Sequence, residues 1–60
     1  MNDPLLTVAE VAPMIRKTEK ALRAMITQGT APRSAKVAGR RLFRQSDVDA
    51  YVANAFANAS

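Results

Sequence analysis

"TEKALRAMITQGTAPRSAKVAGRRLFR", residues 18–44, decides the fold. Its first half reads as a helix. Thr18 is an N-cap, its hydroxyl oxygen placed to accept a backbone N–H of the first turn. Ala21, Leu22, Met25 and Ile26 recur at helical spacing and make one apolar face. Gly29 is the stop, a residue free to enter the left-handed region in which many helices end. Pro32 keeps the helix from resuming. The second half alternates instead. Ala35 and Val37, then Arg41 and Phe43, flank Ala38-Gly39-Arg40, the pattern of a small hairpin with glycine at its turn. A hairpin this short is marginal alone, so it is expected to pack on the helices through Val37 and Phe43.

Working outward, "LLTVAEVAPMI" at 5–15 carries the T-x-x-E capping box in Thr7 and Glu10, with Leu6 and Val11 spaced for a hydrophobic staple. Val8, Val11, Ala12 and Ile15 share one face and predict a first helix from Val8 to about Ile15. Pro13 is expected to kink or tighten its end. Only Arg16 and Lys17 separate this helix from Thr18, and two short helices so joined read as a helix-turn-helix. Beyond the hairpin, "QSDVDAYVANAFANAS" predicts a third helix. Ser46 and Asp49 form a second capping pair, and Asp47 and Asp49 suit the helix dipole. Val48, Tyr51, Val52, Ala55 and Phe56 make the buried stripe, and residues 58–60 are expected to fray. The order helix, helix, two-stranded hairpin wing, helix predicts a small winged helix-turn-helix, α+β and mainly α, with residues 1–60 as a single domain.

Composition narrows the function. A chain of 60 residues buries only about 60% of the surface its unfolded form exposes, so its core must do the stabilising work. There is no Cys and no His, which removes disulfides and leaves neither a structural metal nor a cofactor expected. No apolar run approaches the ~18 residues that span a bilayer, and the start lacks the basic and apolar stretches of a secretory signal. A cytoplasmic protein without membrane partners is expected. Enzymatic chemistry is not. There is no His for acid–base work, the carboxylates are scattered, and the hydroxyls of Thr7, Thr18 and Ser46 are assigned to caps.

Charge points elsewhere. The net charge is +4, and all nine basic residues fall between Arg16 and Arg44 with Glu19 as the only acid among them. Asp3, Glu10, Asp47 and Asp49 lie outside that segment. A basic middle suits a polyanion. The polar face of the second helix shows Glu19, Lys20, Arg23, Ala24 and Thr27. Arg23 can fork onto guanine O6 and N7, and Glu19 can accept from cytosine N4. The same i,i+4 spacing also suits a surface ion pair, expected to orient Arg23 in the free protein. Arg16, Lys17 and Lys20, with Thr18 among them, surround the start of this helix, where cations oppose the dipole unless an external phosphate joins them. Lys36, Arg40, Arg41 and Arg44 crowd the hairpin with more charge than edge protection requires. Arg40 and Arg41 suit a minor groove, and Lys36 and Arg44 the phosphates. Phe43, Tyr51 and Phe56 are assigned to the core, leaving no aromatic platform for single strands, so double-stranded DNA is the expected partner.

Over residues 5–52, "LLTVAEVAPMI", "TEKALRAMITQGTAP" and "KVAGRRLFRQSDVDAYV" resemble the MerR-like winged-helix domains of phage excisionases. The small size and alanine-rich style are similar to actinobacteriophage, including mycobacteriophage, members. Two features depart from the family's pattern: Arg16 where glycine is common, and Pro13 within the first helix. The resemblance implies a recombination directionality factor that does no chemistry. Such a protein binds direct repeats at attachment-site DNA, self-associates head to tail, bends the duplex and directs phage integrase toward excision in the bacterial host cell. The alternatives are a small winged-helix transcriptional regulator and, in another class, a protein-interaction adaptor docking through the alanine-rich end of the third helix. The adaptor predicts salt-insensitive behaviour.

Overall fold

Residues 3–59 are described by a computed structural model. Their order is β1 (Leu5–Thr7), α1 (Val8–Met14), α2 (Glu19–Gln28), β2 (Ala35–Val37), β3 (Arg40–Arg44) and α3 (Gln45–Ala57). This is a winged helix-turn-helix of mainly helical character. Thr7 starts α1 through a complete capping box: its Oγ1 accepts the Glu10 N–H at 3.2 Å, and the Glu10 carboxylate accepts the Thr7 N–H at 2.8 Å. Thr18 starts α2 by accepting the Ala21 N–H at 3.1 Å. Gly29 ends α2 with φ +79°, a conformation in which a side chain would be strained. Val8, Val11, Ala12, Leu22, Phe43 and Val48 form one buried cluster, so α1, α2, β3 and α3 each send a residue into it.

The wing belongs to a larger sheet than its hairpin. The strand order is β1-β3-β2, all antiparallel, with Leu6 opposite Phe43 and Lys36 opposite Arg41. The third strand, β1, is the segment that also carries the α1 cap. The turn is Ala38-Gly39 alone, with φ +51° and +81°; both central residues positive is the two-residue hairpin turn that matches strand twist. Arg40 is therefore the first strand residue, paired with Val37, and not part of the turn. Val37 lies on the outer face and is 43% exposed, while Phe43 on the inner face is fully buried. Only the second of the two expected anchors holds the wing.

The third helix also departs from expectation. It begins at Gln45, two residues before the start that a Ser46 cap would give, with Arg44 in the capping position and no side-chain cap of its own. Ser46 and Asp49 do not pair: Asp49 accepts from Gln45 Nε2 at 2.9 Å. The cap comes from the far end of the chain. Asp3 accepts the Ser46 N–H at 2.9 Å and the Ser46 hydroxyl at 2.8 Å. The Gln45 N–H meets the Pro4 carbonyl at 3.0 Å. Tyr51 is half-buried and donates its hydroxyl to the Thr30 carbonyl at 3.1 Å, tying α3 to the exit of α2. Past that point α3 leaves the core, and Phe56, expected inside, is 77% exposed. The Asn58 N–H still reaches the Asn54 carbonyl at 3.0 Å, and Ser60 lies outside the described residues.

The Asp3 clasp makes stability depend on acid. The two bonds from Ser46, backbone first, hold the Asp3 carboxyl below its ordinary value. A depressed folded-state pKa stabilises above the unfolded value, and that contribution is lost as pH falls through the folded one. Urea midpoints should therefore drop between neutral pH and about pH 3. In Asp3→Asn the neutral-pH midpoint should be lower and the acid-induced drop smaller. Parallel pH curves for the two proteins would contradict the clasp.

Candidate nucleic-acid interface

Because Thr18 caps α2, Glu19 and Arg23 fall on its outer face one turn apart. They form an exposed ion pair, Arg23 Nη2 to Glu19 Oε2, at 2.9 Å. This pair lines a groove of about 280 Å³ whose other contributors are Gly39, Arg40 and Arg41 from the wing and Thr7, Val8 and Ala9 from the start of α1. The wing reaches there because β3 outruns β1: pairing with β1 begins at Leu42, leaving Arg40 and Arg41 beside α1. A second depression of about 230 Å³ continues along α2, lined by Arg23, Ile26, Thr27, Lys36 and Arg41. Arg23 and Arg41 line both, so the polar side of α2 and the wing make one cationic surface. Strand alternation explains the membership of Lys36 and Arg41, cross-strand partners on the face that carries Phe43; Arg40, next to the turn, lines the first groove and not the second. Arg41 is steadied by a long bond from Nη1 to Ser34 Oγ, 3.4 Å.

The remaining candidates divide. Arg16, Lys17 and Lys20 are exposed around the start of α2, while the Thr18 oxygen is occupied by the cap. Arg44 is not brought to the groove. It stands three residues from Arg41, hence on the other face of the strand, and its guanidinium grips Asp47 at 2.7 and 3.3 Å. The hydrogen bond and charge of Asp47, with a smaller contribution from Asp3, hold the Arg44 pKa above its ordinary value. Sequence reasoning missed Thr7, Val8, Ala9 and Ile26 as groove residues. For the α1 residues no local pattern announces a contact made by the distant wing. Ile26 was readable: it follows Arg23 by three positions and so borders the polar face.

A family model described as a helix-turn-helix domain matches residues 5–55. The chain belongs to the helix-turn-helix domain family. No curated protein and no solved structure gives a significant match. As a helix-turn-helix protein it is a small DNA-binding domain. No helix among its described residues is long and apolar enough to cross a membrane.

The turn of this helix-turn-helix carries a cost. The Arg16 N–H bonds the Pro13 carbonyl at 3.1 Å and the Lys17 N–H the Ala12 carbonyl at 2.8 Å. That pair of bonds is the Schellman exit, which asks for a left-handed residue after the helix. Arg16 supplies it with φ +60°, where glycine would sit without penalty. Arg16→Gly should therefore raise stability by about 0.5–1 kcal/mol, the relief of strain less the entropy glycine adds to the unfolded chain. The same change should make the salt slope of DNA binding shallower by about one unit if Arg16 meets a phosphate. A thermal melt and a salt titration read the two effects separately.

Proposed function

We propose that the chain is an architectural DNA-bending protein, a phage excisionase that directs integrase-mediated recombination toward excision. The supporting observation is the joining of Arg23 on α2 with Arg40 and Arg41 on the wing in one groove. Such a surface suits a recognition helix in the major groove and a wing in the neighbouring minor groove. The sequence resemblance over residues 5–52 carries the recombination role. In this reading the chain performs no chemistry, needs no cofactor and acts in the cytoplasm of the bacterial host. A single module of this size covers only about 600–1,000 Å² of interface and binds weakly alone. Copies on adjacent direct repeats therefore associate head to tail, an open arrangement that adds bend with each copy. The integrase is the protein partner.

The test is a gel-shift series on attachment-site DNA with repeats in direct or inverted orientation. A ladder of complexes with anomalous mobility on direct repeats is expected. One sharp complex on an inverted pair would favour the transcriptional regulator. With about six phosphates neutralised, log K should fall with log salt at a slope near −5, roughly 1,000-fold between 50 and 200 mM. Salt-insensitive behaviour would point to the adaptor.

A further inference from the structure

We infer that Thr27 and Ile26 form a methyl-reading subsite that accepts the 5-methyl group of a thymine near the base met by Arg23. The inference rests on the proposed reading of a DNA duplex by α2. Down the outer face of α2, Glu19, Arg23 and Thr27 follow at intervals of one turn, and the chemistry changes at the third. The depression there brings three cations, Arg23, Lys36 and Arg41, around Ile26 and Thr27. Ile26 is half-buried and packs against the core, yet still lines the depression. Thr27 is exposed, and its hydroxyl donates to the Arg23 carbonyl at 3.3 Å. With that proton directed into the helix backbone, Thr27 offers a ligand its methyl group and an oxygen lone pair.

A mixed apolar spot inside a cationic rim needs a ligand that is apolar at its centre and anionic around it. The thymine C5-methyl is the apolar group that B-DNA displays in the major groove, and phosphates flank it on both sides. The spacing agrees. Four residues of helix advance about 6 Å, between one and two base steps of about 3.4 Å. Arg23 and Thr27 can thus address neighbouring positions of one half-groove.

The test uses a footprinted duplex in which each thymine is replaced singly by uracil, which removes only the methyl. Affinity is read by fluorescence anisotropy. One position should weaken binding about three- to five-fold, the worth of one buried methyl. Thr27→Val keeps the methyl and should keep that sensitivity. Thr27→Ser keeps the hydroxyl, drops the methyl, and should discriminate between the two duplexes less than the parent does. Thr27→Ala should repeat the loss in a residue of higher helix propensity. The subsite is overturned if no thymine is uracil-sensitive, or if the serine and alanine variants discriminate as well as the parent. A parent chain that binds no duplex at all overturns the DNA reading itself, an outcome distinct from binding without a sensitive thymine.

Discussion

Replacing Phe43 by alanine is expected to unfold the domain or to lower its melting temperature by more than about 12 °C. Phe43 is fully buried in the cluster it shares with Val8, Val11, Leu22 and Val48. It sits opposite Leu6 in the sheet and is the residue through which the wing meets the helices. Truncating a buried phenylalanine costs about 3–5 kcal/mol. A chain of this length has a total stability of about 3–9 kcal/mol. The loss is thus comparable with everything that holds the fold. Phe43→Leu, which leaves a smaller void, should still melt cooperatively at a reduced temperature. Circular dichroism melts of both variants decide the matter, and an alanine variant melting within a few degrees of the parent would show that the cluster is not the core.

The second large effect concerns binding. Arg23→Ala should weaken binding to the cognate duplex by about 1–3 kcal/mol, roughly 5- to 150-fold, and binding to random duplex far less. The side chain is exposed and its pair with Glu19 is a surface ion pair worth a few tenths of a kcal/mol, so folding should be nearly untouched. Part of the binding loss would come from Glu19, whose carboxylate is left unpaired beside incoming phosphates. The double variant with Glu19→Gln separates the two contributions, because only the repulsive part is relieved. Equal losses on cognate and random DNA would demote Arg23 from base reader to phosphate contact.

Much of this molecule is written locally. Thr7 with Glu10, Thr18 and Gly29 each announce a helix boundary, because each acts on backbone groups within a few residues of itself. Arg23 was legible from its charge and helical phase, and Arg40 and Arg41 from their charge in the hairpin. What escaped was non-local. β1 is a three-residue strand hidden under a cap motif, and its partner, β3, comes only after both helices and β2. Asp3 supplies the α3 cap that Ser46 and Asp49 seemed to supply between themselves. Phe56 has the phase of a core residue but comes after α3 has outrun the body it packs on. Arg44 could have been set apart from the sequence, since a three-residue offset from Arg41 reverses its face in any strand.

The clasp between Asp3 and Ser46 joins positions 43 apart. A ribosome adding about 5–20 residues per second needs roughly 2–9 s to bridge that interval. Until its close the first strand has no partner, and Asp3 has no helix to cap. The nascent chain can coil its first two helices early, but the sheet waits until β3 has been made. Closure is then one concerted event in which residues 3–7 find residues 42–46.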